Sequence, residues 1–552
     1  MKIKNFCTKA LLLSSFLFIG SCESLDLDGT INPNAIQEQD VDANYLLNSI
    51  QVNFSSFYFT VSDDTRGVTR MVNQFGSYAS AADPQESQTQ WSTAYSSILA
   101  DVKTLKGLGA NGQIPYHVAI GKVLESYTYV TLVDFYGDVP YSEALQGAAN
   151  LNPKVDAGAD IYDAMLVNID EAIALLSQPA PVNVPTTDFY YANNYAKWIK
   201  LANSLKIKIY NNLRLTRDVS AEVNAIVASG NYMTSNADDF NFKYSTVNAP
   251  TDSRHPDYVA EYDGSASFHL SNTYLKLLMA DKPMVDPRRR YYFYRQTGNA
   301  PTGINLPCAT QPNIDICYIG AGSWGNGYWG RDHADDTGIP ADAALRAVVG
   351  LYPAGGRFDN NRVQNASTSL ALNNALGAGV QNILDFSFVQ FMLSELALTE
   401  AGVTGNAATL LDAAVAANIT KVTTFRPDLQ ILSPTNVNVV PTAAAITAYK
   451  AEVTNRYLAA ATTADKLNII IKEFYIASWG NGMEAYNMYR RTGFPAQNAG
   501  FVGMQSPVTA AGSFVRSFFY PNNAINNNNN IIQHTLDKRV FWDNNPVAGF
   551  ID

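Results

Sequence analysis

The feature that most constrains this chain is a helical repeat of apolar residues that returns in blocks. In 116–134, Ile120, Val123, Leu124, Tyr127, Val130 and Asp134 follow the i, i+3, i+4, i+7 spacing of one helix face. In 160–177, Ile161, Met165, Ile169, Ile173 and Leu176 recur every three or four residues, and in 196–214 Trp198, Leu201, Leu205, Ile209 and Leu213 do the same. Asp160 is placed to cap the second of these helices. The pattern resumes in 381–401 (Leu384, Phe388, Phe391, Met392), 408–422 (Leu411, Val415, Ile419, Val422) and 467–490 (Leu467, Ile470, Ile471, Phe474). Segments of this length with antiparallel connections predict stacked helix pairs, a degenerate solenoid of the tetratricopeptide kind without its consensus. The strand–helix alternation of a parallel barrel is not seen.

Between the helical blocks, 235–375 changes character. It is rich in Gly, Pro, Asp, Asn and aromatics and contains DPRRRYYFYR (286–295) and GAGSWGNGYWGRDHADDTG (320–338). Long ordered loops on a rigid frame are where binding concentrates. The expected organisation is a first scaffold part at 41–234, a loop-rich binding subdomain at 235–375, a second scaffold part at 376–494 and an irregular segment at 495–552, with the Asn526–Asn530 run as an exposed tip. Trp324, Tyr328 and Trp329 fall among five glycines. Glycine lets backbone and ligand approach closely, and an exposed ring offers an apolar plane to the C–H face of a sugar. Asn326, Arg331 and Asp332 are near enough in sequence to bind its hydroxyls, so these six residues are the candidate ligand site, an apolar floor with a few fixed polar groups. The competing expectation is that the rings plug the loop onto the helices. Tyr291, Tyr292 and Tyr294 alternate as in a short strand and are expected in the core.

The N-terminus reads as a processing signal. Lys2, Lys4 and Lys9 precede an apolar run from Ala10 to Gly20, too short to span a bilayer, which takes about 20 residues. It ends in Ile19-Gly20-Ser21-Cys22, which resembles a bacterial lipobox with Cys22 as the lipidated residue. Residues 1–21 are then the signal, 22–40 the lipidated cysteine and an acidic tether. Removing the signal takes the net charge from −11 to about −14. Cys308 and Cys317 remain as the candidate disulfide of an exported protein, or as two buried thiols.

Charge excludes some functions. An acidic chain is a poor match for nucleic acid, which needs a basic face. Only 16% of residues are charged, so the surface is expected to be polar through Asn, Gln, Ser, Thr and Tyr, which suits neutral hydroxyl-rich ligands. Catalytic signatures are missing: no HExxH, GxxxxGK[ST] or CxxC occurs, and Gly322-Ser323-Trp324-Gly325 lacks a leading Gly because position 321 is Ala. The histidines have no metal-ligand spacing, and His117, near a helix start, reads as structural. Asp332, Asp335 and Asp336 with His333 are the one oxygen-rich cluster, but their spacing fits no standard calcium loop, so no metal ligand is assigned. A glycosidase needs only two carboxylates and stays open as an alternative.

Several segments, taken in order, carry a family resemblance. The lipobox cysteine is followed by Ile31-Asn32-Pro33-Asn34, then Trp91 in QWSTAYSSILADV, LVDFYGDVPYSEAL (132–145), Asp286-Pro287-Arg288, EAYNMYRRTGFP (484–495), FVRSFFYPNN and Lys538-Arg539-Val540-Phe541-Trp542-Asp543. The ordered set resembles the SusD/RagB-like outer-membrane lipoproteins of Bacteroidota, in the SusD-like branch. The resemblance implies a mostly α fold: tetratricopeptide-like helix pairs form a right-handed scaffold that carries an irregular, loop-rich ligand-binding subdomain. It implies no enzymatic activity and no cofactor. It implies a cell-surface lid, anchored in the outer membrane by lipid, that captures oligosaccharides or in some members peptides and delivers them to a SusC-like TonB-dependent transporter. Glycan sites vary within that family, so no ligand residue is carried over from it.

Overall fold

The computed structural model describes residues 41–263, 268–296, 328–336, 346–362, 366, 373–430, 438–496 and 502–545. The chain divides into two units, Met1–Asp42 and Ala43–Asp552, and every helix and strand named here belongs to the second. Cys22, Cys308 and Cys317 lie outside the described residues.

The first scaffold part runs through α1 (Ala43–Val68), α2 (Ala100–Leu108), α3 (Pro115–Tyr136), α4 (Gly158–Leu176), α5 (Tyr195–Leu213) and α6 (Ser220–Ser229). Nearly every residue of α3 is buried, so it is the central helix of this half. Its polar residues are internally satisfied: Ser126, Thr128 and Thr131 each donate to the carbonyl four residues back at 2.8 Å. Pro115 opens it and Gly137, at φ 90°, ends it. α4 packs along α3 and α5 along α4. Asp160 does not cap α4. The helix starts two residues earlier, after Ala157, and the Gly158 N–H is taken by the Asp138 carboxylate at 2.8 Å.

The second part holds α8 (Phe386–Thr399), α9 (Ala407–Thr423), α10 (Ala443–Ala459), α11 (Thr463–Ala477) and α12 (Gly482–Thr492), with α7 (Asn272–Met279) in the segment between the two parts. Neighbours pack in sequence, and α12 returns from the far end of the chain to lie on α1. The caps are Asn406, Thr442, Thr462 and Asn481, each accepting a backbone N–H with its side chain. Two expected helices differ. Residues 380–384 form a strand before α8, and 467–490 is broken into α11 and α12 at Gly480, φ 86°. The fold is mostly α, with tetratricopeptide-like helix pairs. Among the described residues no helix is long and apolar enough to cross a membrane.

Strands are few. β1 (Phe240–Lys243) pairs antiparallel with β4 (Val380–Leu384), Phe240 facing Leu384. β2 (Phe293–Arg295) pairs antiparallel with β3 (Ala347–Val349), Phe293 facing Val349. Tyr291, Tyr292 and Tyr294 are in the core, the first two ending a short helical turn and the third in β2.

Buried ion pairs tie these parts together. The Arg288 guanidinium meets Asp286 at 2.9 and 2.6 Å, Asn418 of α9 at 2.8 Å and Tyr449 of α10 at 3.1 Å. Three of the segments that carry the family resemblance, 132–145, 484–495 and 538–543, meet at Asp134. Its carboxylate accepts from Trp542 at 2.9 Å, Asn487 at 2.7 Å and Tyr162, while Arg490 donates to its carbonyl.

Candidate functional site

The loop at 328–336 is laced between three other segments. Arg331 N–H donates to the Leu270 carbonyl at 2.9 Å and Asn272 N–H to the Arg331 carbonyl at 2.8 Å. Ala334 N–H reaches Gln74 O at 3.1 Å, Val508 N–H reaches His333 O at 2.9 Å and Asn73 N–H reaches His269 O at 2.7 Å. Four stretches far apart in sequence thus lie side by side. Gly330 permits the closest approach, because a Cβ there would stand 2.1 Å from the Leu270 carbonyl oxygen.

Trp324 and Asn326 lie outside the described residues. Tyr328, Trp329, Arg331 and Asp332 are all buried, so the exposed aromatic platform expected of Tyr328 and Trp329 is replaced by a plug. The Tyr328 ring lies under the guanidinium groups of Arg289 and Arg295, each 4.8 Å from its centroid, and its hydroxyl donates to Asp359. Burial pushes that phenol up. Burial also works to raise Asp359, but the Arg295 guanidinium at 2.8 Å outweighs it and holds the carboxyl low. The Trp329 carbonyl accepts Ala347 N–H at 2.8 Å, which joins the loop to β3. Arg331 is 3.7 Å from Asp335. Asp332 accepts from the Asn272 side chain at 3.0 Å, and burial raises its carboxyl. Composition could not separate plug from platform, because both use the same glycines and rings.

His333 hydrogen-bonds the Tyr78 hydroxyl through Nε2 at 3.0 Å, and burial, then Arg70, pushes its imidazole well below the usual range. It is neutral at physiological pH. Among the described residues no three His, Cys, Asp or Glu side chains are gathered to hold a metal ion.

Polar atoms without partners mark the junction. Asn73 donates its amide to Asp335 O at 3.1 Å and Gln74 donates to Gly76 O at 3.4 Å, which leaves Asn73 Oδ1 and Gln74 Oε1 unpaired among the described residues. Ser271 Oγ, Trp329 Nε1 and His333 Nδ1 are unpaired in the same sense. Buried polar groups are nearly always hydrogen-bonded, so a local concentration of exceptions needs water or a ligand to satisfy it. Half-buried Phe75 and Phe268 flank the spot: Phe75 meets His269 edge-on at 5.5 Å, and Arg66 lies 4.4 Å over Phe268. None of Asn73, Gln74, Phe75, Ser271 or Phe268 carries a sequence signal, since only the fold brings them together.

A separate cleft of 480 Å³ opens between α1, β1 and the loop after it, walled by Phe59, Phe189, Phe242 and Tyr244. Part of its polar lining is already paired. Ser245 and Ser253 hydroxyls bond each other at 2.6 Å, and Arg254 is held by Asp252 at 2.8 Å and by Asp263.

Two family models match the chain. One, described as starch-binding and associating with the outer membrane, covers residues 33–306, and the other, described as SusD and RagB outer-membrane lipoprotein, covers 359–540. The chain belongs to the SusD/RagB-like family. Solved SusD-like structures agree in fold. A SusD homologue from Bacteroides fragilis is 18% identical, with a TM-score of 0.66 over 91% of this chain and 99% of that one. A SusD/RagB family protein from Bacteroides thetaiotaomicron is 18% identical, with a TM-score of 0.67 over 92% and 100%. A chitin-binding protein is 21% identical, with a TM-score of 0.65 over 91% and 100%. No curated protein matches the chain in sequence.

Proposed function

We propose that this SusD-like protein is a cell-surface lipoprotein, acylated at Cys22, which captures oligosaccharides and hands them to a SusC-like TonB-dependent transporter without a chemical step. The observation that carries this reading is that several buried polar atoms around the junction lack partners among the described residues: Asn73 Oδ1, Gln74 Oε1, Ser271 Oγ, Trp329 Nε1 and His333 Nδ1. They supply both donors and acceptors and none is a charged group, as neutral hydroxyls require. In the aromatic cleft Ser245 and Ser253 satisfy each other, and Arg254 is held by Asp252 and Asp263. Family membership supports the outer-membrane setting, and the chitin-binding neighbour puts acetamido sugars among the first ligands to try.

In this reading Trp324 and Asn326 add the stacking plane and an amide, Trp329 offers its indole N–H, and Tyr328, Arg331 and Asp332 hold the loop in place. Stacking and hydrogen bonding of this kind give roughly −4 to −8 kcal/mol, millimolar to micromolar affinity, which suffices for capture. The test is calorimetry of the mature chain against chitin, starch and cellulose oligosaccharides. Trp324→Ala is expected to weaken binding at least about tenfold with unchanged thermal unfolding. Unchanged affinity in Trp324→Ala together with loss in Phe189→Ala moves the site to the aromatic cleft. Release of reducing ends during incubation overturns the non-catalytic reading, and copurified peptide overturns the choice of cargo.

A further inference from the structure

Another concavity, which shares no lining residue with the junction, lies where the helical turn Gln88–Ser92 and the π-helical turn Thr93–Leu99 meet the loop after α3 and the C-terminal segment. It measures 310 Å³, at the lower end of the roughly 300–1,000 Å³ of small-molecule sites. Its floor is apolar. Trp91 and Tyr95 lie with ring centroids 4.7 Å apart, and Leu145 and Leu151 complete the wall, with Leu151 70% exposed. In a chain of net charge −11, no Asp, Glu, His, Lys or Arg is among its lining residues.

The wall is built and rigid. Asn528 donates to Pro153 O at 2.8 Å, Asn530 donates to Asn152 O at 2.7 Å, and Asn152 Oδ1 accepts Asn529 N–H at 2.8 Å. The asparagine run is exposed at every position but Asn528, as its composition suggests, and clasps the 150–153 loop. The Tyr95 hydroxyl is fixed on Pro140 O at 2.7 Å.

One buried polar atom is left over. Asn523 donates its amide to Ser92 Oγ at 3.2 Å, which leaves a buried Oδ1 with no partner among the described residues. Asn527 donates its amide to the Asn523 carbonyl at 2.8 Å, and its side chain lines the cleft beside Trp91 and the exposed Ser96. π-Helical turns inside helices recur at functional sites, and this one presents Tyr95 and Ser96 to the cleft.

We infer that this cleft is a second carbohydrate subsite, which takes a single neutral pyranose ring. The ring's C–H face lies on Trp91 and Tyr95. Its hydroxyls donate to Asn523 Oδ1 and Asn527 Oδ1 and accept from the Trp91 N–H. A charged sugar finds no counter-ion among the lining residues. The inference rests on the cleft's own geometry and does not depend on the junction.

The test is saturation-transfer NMR on the mature chain with maltotriose, cellotriose and triacetylchitotriose as probes. In the Trp324→Ala chain, transfer to the ring protons of at least one probe is expected to persist. Adding Ser96→Arg, which puts bulk and charge at an exposed rim position, removes it. Trp91→Phe, which keeps a smaller plane and deletes the donor, weakens it about fivefold, with thermal unfolding measured alongside to separate loss of packing from loss of contact. Persistence of all transfer in Ser96→Arg overturns the subsite, as does its complete loss in Trp324→Ala alone. No transfer to any probe at tens of millimolar also overturns it, whatever the junction binds in calorimetry.

Discussion

Glu395→Gln is the sharpest test of how the scaffold is held. Glu395 sits in the middle of α8 with no exposed surface. Its Oε1 accepts from Arg491 of α12 and from Arg214, just past α5, both at 2.7 Å. Its Oε2 accepts from Arg491 at 2.8 Å and from Asn211 of α5 at 3.1 Å. Burial works to raise this carboxyl, but Arg491, then Arg214, outweighs burial and lowers it from the ordinary 4.5 to about 2. At about 1.4 kcal/mol per pH unit, that gap is worth about 3 kcal/mol of folding stability. The figure agrees with the roughly 3–5 kcal/mol lost when one partner of a buried ion pair is removed. The sign follows from a folded value below the unfolded one. The contribution is complete above pH 4.5 and is lost as pH falls towards 2. A protonated glutamic acid and a glutamine are nearly isosteric, so the two chains converge in acid. Urea unfolding at a series of pH values should show Glu395→Gln less stable by about 3 kcal/mol at pH 7, with the difference shrinking to near zero by pH 2. A difference under about 1 kcal/mol at pH 7, or one that does not change with pH, refutes the reasoning.

Two other substitutions test neighbouring arguments. Gly330→Ala forces a methyl to 2.1 Å from the Leu270 carbonyl, so the loop must leave its neighbours; a loss of about 2 kcal/mol in urea unfolding and faster proteolytic cleavage within 328–336 are expected. Asp385 is opposite in sign to Glu395: burial pushes its carboxyl up to about 7, despite Lys421 at 2.6 Å. The unfolded chain ionises first, so wild-type stability falls as pH rises from about 4 to about 7. Asp385→Asn should lack that component, and its stability relative to wild type should improve between pH 5 and pH 8 in the urea midpoint.

The long helices were legible because one face of each carries enough apolar residues to define a period. α3, α4, α5 and α9 start and stop within one or two residues of the periodic segments at 116–134, 160–177, 196–214 and 408–422. The pattern failed where two element types share one apolar run. Ile383 and Leu384 belong to a strand whose buried residues run straight into α8. In 467–490 the periodic residues Leu467, Ile470, Ile471 and Phe474 all precede Gly480, whose left-handed backbone re-aims the chain and lets Asn481 cap a new helix. The site was legible only as a segment. The glycines of 320–338 announce close packing, but whether Tyr328 faces solvent or Asp359 depends on Arg289, Arg295 and Leu270, which no local pattern places beside it. Charge was misleading in the same way. A low charged fraction suggested a neutral surface, whereas Arg288, Arg491, Glu395 and Lys421 are all deep in the scaffold or nearly so.

That burial of charge connects scaffold to function. Each buried ionic group reaches several elements at once: Arg288 joins the loop-rich subdomain to α9 and α10, and Glu395 joins α5, α8 and α12. Such pairs contribute little net stability against an apolar alternative, but a misplaced partner leaves a charge stranded in low dielectric, so they penalise every other arrangement. The ion pairs therefore fix where the loops stand. With so many charges used inside, the junction and the Trp91 cleft can be lined mainly by amides, hydroxyls and rings. The Asp134 knot uses both carboxylate oxygens and its carbonyl, whereas Gln74, Trp329 and Asn523 each keep an atom in reserve. A neutral ligand that lacks charge to be steered by can be selected only by geometry, and a frame locked by buried charge supplies that geometry before the ligand arrives.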